Sequence, residues 1–251
     1  MTRILISGIC GYMGRHLLKL SAESDSVDAV CGVDIASCEG IDVPVYATFS
    51  DVADKVDCIV DFSHHSQTGA ILAFAVKNNI PAVIATTGQT DAEREMIIKA
   101  SEKVPVFFSS NFCIGVAMLC KLAVQTAKAF PNAEIEIIEK HHNRKLDAPS
   151  GTALMIANEI INEARPNANL VLGRSGCRKR EADDIGISSV RMGNIVGDHE
   201  IIIGTENQTL TLKHEAHSRA LFAEGAISAV EFIKNKGAGL YDVKSILKED
   251  E

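Results

Sequence analysis

One short stretch near the start limits the fold more than anything else in the chain. Ile4-Leu5-Ile6-Ser7 reads as an apolar strand and runs into Gly8-Ile9-Cys10-Gly11-Tyr12-Met13-Gly14, after which apolar residues recur at helical spacing. Glycines spaced three apart between a strand and a helix meet three steric demands. Gly8 takes a tight turn, Gly11 lets backbone approach a bound group, and Gly14 lets the helix lie close on the strand. The helix start then offers unpaired N–H groups and a positive dipole end to an anion. Such a turn also occurs without a ligand, as plain punctuation between strand and helix. Here Asp34 closes the next strand-like run, twenty residues after Gly14, where a carboxylate accepts the ribose hydroxyls of an adenosine. That context favours a dinucleotide site.

The same rhythm continues. Strand-like runs at Ile4–Ser7, Ala29–Val33, Cys58–Phe62, Ala82–Thr86 and Val104–Ser109 alternate with helical spacing over Gly14–Ala22, Thr68–Lys77 and Ala92–Ser101. Alternation of this kind predicts a parallel sheet covered by helices on both faces. A long helix over Val116–Ala129 stops near Pro131, and the order then changes. Ile135–Ile138 reads as a strand, Thr152–Ala164 as a helix, and the Gly-, Arg- and Asp-rich Leu172–Gly186 as a solvated loop. Strands at Ile187–Met192, Glu200–Gly204 and Thr209–His214 follow in succession, as in a mainly antiparallel sheet. Ala220, Ala223, Ile227, Val230 and Ile233 mark a last helix. The expected fold is α/β: a Rossmann-type dinucleotide-binding domain, then an α+β domain on a mixed or antiparallel sheet.

Charge and cysteine content narrow the function classes. The chain has 25 basic and 33 acidic residues and a formal charge of −8, which disfavours sequence-blind binding to nucleic acid or anionic lipid. No apolar run approaches the ~20 residues that span a bilayer, and the start lacks a secretory layout. Seven cysteines are scattered without a CxxC pair. Cys31, Cys58, Cys113 and Cys120 sit in apolar runs and read as buried free thiols. The expectation is a reduced, cytoplasmic enzyme without a metal site.

Asp34 also bears on which dinucleotide binds. No Arg or Lys occurs between Lys19 and Lys55 to neutralise a 2′-phosphate, and two like charges ~4 Å apart cost about 1–4 kcal/mol. Arg15, the nearest base, reads as pointing into its own helix. The expected preference is NADH over NADPH. Thr86-Thr87-Gly88 and Ser109-Ser110-Asn111-Phe112 follow the C-terminal ends of later strands, the edge where such sheets bind ligands. They read equally as nicotinamide-side contacts or as caps and turns.

The densest chemistry lies at Glu139-Lys140-His141-His142-Asn143-Arg144-Lys145-Leu146-Asp147-Ala148-Pro149-Ser150-Gly151-Thr152. Ser150 and Thr152 are capping residues at a helix start, whose N–H groups suit a carboxylate. Lys145 and His142 add charge-assisted contacts, and His141 can exchange a proton near neutral pH. A solvated basic turn is the plainer alternative. Adjacent histidines without a cysteine at ligand spacing make a poor metal site.

This segment, with Gly8 to Arg15, Asp61-Phe62-Ser63, Thr86-Thr87-Gly88, Asn111-Phe112 and Val190 to His199, resembles the bacterial dihydrodipicolinate reductases of the diaminopimelate route to lysine. The stretches occur in family order along nearly the whole chain. The resemblance implies NADH or NADPH as cofactor, contacted by Gly8, Ile9, Cys10, Gly11, Tyr12, Met13, Asp34, Ala85, Thr86, Thr87, Ser109, Ser110, Asn111 and Phe112. It implies His141 as catalytic proton donor, Lys145 as an assisting donor, and a cyclic dicarboxylate substrate met by His142, Ser150, Gly151 and Thr152. It further implies a discontinuous first domain (1–112 and 222–251) around a second (113–221), closure about hinges near Cys113 and Leu221, and a homotetramer. Tyr12 and Ile35 depart from the basic residues frequent in the family at those positions, which adds to the expected NADH preference. Two rivals remain: another two-domain dehydrogenase of amino or semialdehyde acids, and a dinucleotide-binding regulatory module without catalysis.

Overall fold

A computed structural model describes residues 1–248 of the chain. It divides into one unit of Met1–Cys113 together with the chain from Ala220 onward, and a second unit, Ile114–Arg219. Residues 249–251, which the sequence reading assigns to the first domain, lie outside the described residues.

The first unit opens with β1 (Thr2–Ser7), α1 (Tyr12–Ala22), β2 (Val27–Val33) and β3 (Val45–Tyr46), followed by β4 (Cys58–Asp61), α2 (Thr68–Asn78), β5 (Ala82–Ile84), α3 (Asp91–Ser101) and β6 (Pro105–Phe108). Ile4, Leu5 and Ile6 are all fully buried, because a central strand of a parallel sheet is covered on both faces. Ile4, Ile6, Val60, Val83 and Phe107 pack on one side with Leu17 of α1, while Leu5, Ile59, Ile84 and Val106 pack on the other with Ile71 of α2 and Ile97 of α3. Thr90 caps α3 in a reciprocal capping box with Glu93, which satisfies donors that a helix start leaves open.

The second unit runs through α4 (Ile114–Ala129), β7 (Glu134–His141), α5 (Gly151–Ala164), β8 (Asn169–Leu172), β9 (Asp184–Arg191), β10 (Gly197–Gly204) and β11 (Thr209–Ala216). Its sheet has the order β11-β10-β7-β9-β8. The β10–β11 and β10–β7 pairs are antiparallel, whereas β7–β9 and β8–β9 are parallel. The sheet is therefore mixed and not mainly antiparallel, since the α5 and β8 connections return the chain in the direction of β7. Ile135, Ile137, Ile187, Ile201 and Ile203 line its covered face against Leu119, Ala123 and Val124 of α4 and Ile156 and Ile160 of α5.

The expected loop at Leu172–Gly186 is shorter than its sequence suggests. β8 and β9 enter it from both ends, and β8 is a largely solvent-facing edge too short to show a period. The loop is also tied down rather than solvated throughout: Arg174 pairs with the buried Asp184 at 3.3 Å and with Glu136 at 3.4 Å.

The chain then returns to the first unit as α6 (Ala220–Ile233), β12 (Gly239–Tyr241) and α7 (Val243–Ile246). α6 joins the core beside α1 through Ala223, Ala226, Val230 and Ile233. β12 pairs in parallel with β6, giving a sheet of order β12-β6-β5-β4-β1-β2-β3 among the described residues.

Candidate active site

In the first unit the glycine turn does what its spacing demands. Gly8 has φ +79°, and a Cβ there would stand 2.7 Å from the Phe62 carbonyl oxygen; a Cβ on Gly14 would stand 2.2 Å from the Gly8 oxygen. Asp34 follows β2, and its carboxylate accepts from the Cys10 amide at 2.9 Å and the Ala36 amide at 3.0 Å. A cavity of about 820 Å³ opens beside it, lined by Ser7, Gly8, Cys10, Gly11 and Asp34 together with Ile35, Thr48, Phe62, Ser63 and His64. Asp61 at the end of β4 is fully buried, which raises its carboxyl above the usual range, and it accepts from the Ser63 amide and hydroxyl.

Several sequence-derived assignments look different here. Ile9 is fully buried and Phe112 nearly so; both side chains belong to the core, the Phe112 ring tilted against that of Phe107 with centroids 5.4 Å apart. Tyr12 is exposed and lies edge-on to His16; neither it nor Met13 lines the cavity. Thr86 is buried, Thr87 exposed and Ala85 half-buried. Ser109 donates to the Asn111 carbonyl at 2.8 Å, and Asn111 Oδ1 accepts from the Cys113 amide at 2.8 Å, so these two residues build the turn after β6; Ser110 is exposed.

Two expectations need correction. Arg15 does not point into its helix: it is exposed and donates to the carbonyls of Cys10 and Glu39. The chain is also not fully reduced, because Cys10 and Cys38 form a disulfide. The loop after Asp34 folds back over the glycine turn and brings the two Cα atoms to 5.5 Å, within the span a disulfide bridges. A separation of 28 residues gives no hint of that. Cys31, Cys58, Cys113 and Cys120 are buried thiols outside any disulfide, as expected, and Cys177 is an exposed one.

In the second unit a different group forms. β7 extends to His141, three residues past the expected end, and its alternation places Ile135, Ile137, Glu139 and His141 on the covered face. Register does the rest: His199 of β10 sits opposite Glu139, and Arg191 of β9 opposite His141. His141 Nδ1 lies 2.6 Å from Glu139 Oε2. Arg191 grips the same carboxylate with both guanidinium nitrogens, at 2.6 and 2.8 Å. The Ser150 amide donates to Glu139 Oε1 at 3.1 Å.

Ser150 caps α5, its Oγ accepting from the Ala153 amide at 3.1 Å, and it meets His199 Nε2 at 3.1 Å. Gly151 follows with open space where a Cβ would stand, leaving the helix start accessible beside Thr152. Gly197 faces His141 so closely that a Cβ would stand 3.1 Å from Nε2. Lys145 is half-buried and pairs with Asp147 at 2.8 Å.

The electrostatics suit an anion. Burial lowers His142, and Arg144, Arg219, His141 and Lys145 press it further in the same direction. Burial also lowers His199, to about 4, with His141 adding to the effect. Burial raises the Glu139 carboxyl, but bonds from Arg191, Ser189, His141 and the Ser150 amide outweigh it and hold the group at about 2. No cluster able to hold a metal ion occurs among the described residues.

Glu139, Arg191, His199 and Arg219 are the members of this group to which sequence reasoning gave no role. Alternation continued through Ile135 and Ile137 points to Glu139, because a carboxylate on a core face needs a partner. Arg191, His199 and Arg219 arrive through sheet pairing and loop folding, which spacing does not reveal.

A parallel sheet with a glycine-turn cavity, joined to a unit bearing an anion-receptive helix start beside a histidine, defines a two-domain NAD(P)H-dependent oxidoreductase. The chain matches the family description "Dihydrodipicolinate reductase, N-terminus" over residues 2–112 and "Dihydrodipicolinate reductase, C-terminus" over residues 115–247. It belongs to the dihydrodipicolinate reductase family, the NAD(P)H-dependent reductases of the diaminopimelate route to lysine. It is 39% identical to the 4-hydroxy-tetrahydrodipicolinate reductase of Caldanaerobacter subterraneus subsp. tengcongensis, covering 99% of both chains. It is 45% identical to that of Brachyspira hyodysenteriae over 77% of this chain and 84% of the other. Among solved structures it resembles the dipicolinate-bound dihydrodipicolinate reductase from Paenisporosarcina sp. TG-14, at a TM-score of 0.83 and 27% identity, covering 96% of this chain and 97% of that one.

Proposed function

We propose that the chain reduces 4-hydroxy-tetrahydrodipicolinate to tetrahydrodipicolinate, the first unit holding NADH and the second the cyclic dicarboxylate. The observation that carries this reading is the convergence of His141, Lys145 and the Ser150-capped start of α5 on one site of the second unit. The glycine cradle, its cavity and Asp34 fit a dinucleotide. When bound, that cofactor supplies a hydride.

Loss of water from the substrate ring leaves a conjugated, electron-poor system. Hydride addition at one carbon builds negative charge at its neighbour, and His141 protonates that carbon. Lys145 and the amides after Ser150 hold the carboxylates and oppose the developing charge. The Paenisporosarcina relative binds dipicolinate, a planar dicarboxylate of the same class, which supports this choice of substrate.

Asp34 at the cavity supports NADH over NADPH, since its charge opposes a 2′-phosphate. Arg15 is already engaged with the Cys10 and Glu39 carbonyls, and Ile35 is 89% exposed where a basic residue would greet that phosphate. Cytoplasmic residence and a homotetramer complete the reading and rest on family resemblance; light scattering of the purified protein tests the tetramer. The deciding assay follows NADH oxidation with freshly made hydroxy-tetrahydrodipicolinate. Turnover above background is expected, and its absence in a folded protein that still binds NADH would reject the assignment. A tenfold advantage in kcat/KM for NADPH would overturn the NADH preference.

A further inference from the structure

Glu139 is buried without any solvent exposure and uses both oxygens. Oε2 receives His141 Nδ1 at 2.6 Å and one Arg191 nitrogen at 2.8 Å; Oε1 receives the other at 2.6 Å and the Ser150 amide at 3.1 Å. Arg191 is itself held by the Asp147 carbonyl at 2.7 Å, and the Asp147 carboxylate pairs with Lys145. A purely structural ion pair needs only the Arg191 fork. Here the fork is joined by donors from the proposed proton donor and from the start of the substrate-binding helix, while Asp147 links the fork to Lys145.

An ionised carboxylate can only accept hydrogen bonds, and the arginine fork beside Glu139 keeps it ionised. Nδ1 of His141 must therefore carry a hydrogen, and the hydrogen bond at one ring nitrogen sets the role of the other. We infer that Glu139 is a positioning residue that fixes His141 with its proton on Nδ1, leaves Nε2 to deliver the catalytic proton, and ties that ring to the capped start of α5. The inference deepens the proposed reduction and rests on it for the identity of the proton donor.

The charged and titratable groups around His141 are Glu139 on its own strand, Arg191 on β9, His199 edge-on at 5.3 Å on β10, and His142, Lys145 and Asp147 in the following loop. His214 of β11 lies beyond, opposite His199 in the sheet. Glu139 is the anion that touches the ring, and its loss takes away the acceptor that holds the Nδ1 hydrogen.

The test uses the full chain with nitrogen-labelled histidine. In the unaltered protein, NMR should show neutral His141 as the Nδ1–H form, with Nε2 bare. Glu139→Gln should abolish that signature and lower kcat by ~10²–10⁴, with NADH affinity unchanged. Arg191→Lys should give a smaller loss of kcat, because a lysine keeps the charge but not the two-nitrogen grip on Glu139. An Nε2–H form in the unaltered protein overturns the inference, and that spectrum needs no variant to fold. So does a Glu139→Gln protein that keeps both the signature and the full kcat. If the unaltered chain shows the Nδ1–H form but does not turn over the hydroxy-tetrahydrodipicolinate, the proposed reaction fails while the positioning by Glu139 stands.

Discussion

His141 takes its chemical character from two neighbours that are far apart in sequence, Glu139 on its own strand and Arg191 some fifty residues on. His141→Gln should lower kcat by ~10²–10⁴ while NADH binding holds, and Lys145→Ala should reduce kcat/KM through lost charge stabilisation; steady-state kinetics and cofactor titration check both. The same residues set an acid limit on stability. Folding holds the Glu139 carboxyl at about 2 against an ordinary 4.5. The unfolded chain therefore binds that proton first, and the stabilisation present above pH 4.5 is lost as pH falls towards 2. Folding likewise holds buried His199 at about 4 against 6.5, so its contribution is complete above pH 6.5 and lost between 6.5 and 4. Urea midpoints should decline in these two windows, and His199→Gln should flatten the upper one. At this scale the sequence showed the donor histidine and its lysine but not Arg191 or His199, because a partner supplied by another strand leaves no mark on local spacing; Glu139, on the same strand, is the support that the alternation through Ile135 and Ile137 does mark.

The elements themselves were largely legible. Strands alternating with helices marked a parallel sheet covered on both faces, and strands in succession marked the sheet of the second unit. β3, β8 and β12 were missed; each is a sheet edge of two to four residues that is nowhere fully buried, unlike the equally short but wholly apolar and buried β5. The glycines were readable for a steric reason that can be tested. Gly14→Ala places a Cβ 2.2 Å from the Gly8 oxygen and 2.6 Å from the Ile9 Cα, both backbone atoms that cannot swing aside. It should cost about 1–3 kcal/mol and weaken NADH binding, seen in thermal unfolding and cofactor titration. Ser150→Ala removes the α5 cap and should cost about 0.5–2 kcal/mol, with a loss of substrate affinity that Gly14→Ala does not share.

Across the molecule, three apolar clusters divide the labour, two on the opposite faces of the parallel sheet and one on the mixed sheet. The chain leaves the first unit after Cys113 and returns to it at Ala220. The return of α6 to the first unit is fixed by close contact: a Cβ on Gly225 would stand 1.8 Å from the Phe112 carbonyl oxygen. The disulfide belongs to this scale too, since it joins the glycine turn to the loop beyond Asp34. Peptide mapping without reductant should recover Cys10 and Cys38 in one linked pair, and alkylation of the native protein should reach Cys177 alone among the five cysteines outside that bond.

The amino-acid sequence by itself determined the alternation of strands and helices, the glycine turn with its adenosine acid, and the His141–Thr152 segment, because each is written in neighbours a few residues apart and obeys a local period or steric rule. Only the tertiary structure decided which groups meet Glu139, where Arg15 points, and that Cys10 bonds to Cys38. Those outcomes depend on strand register and loop closure, which bring together residues whose separation along the chain carries no trace of their contact.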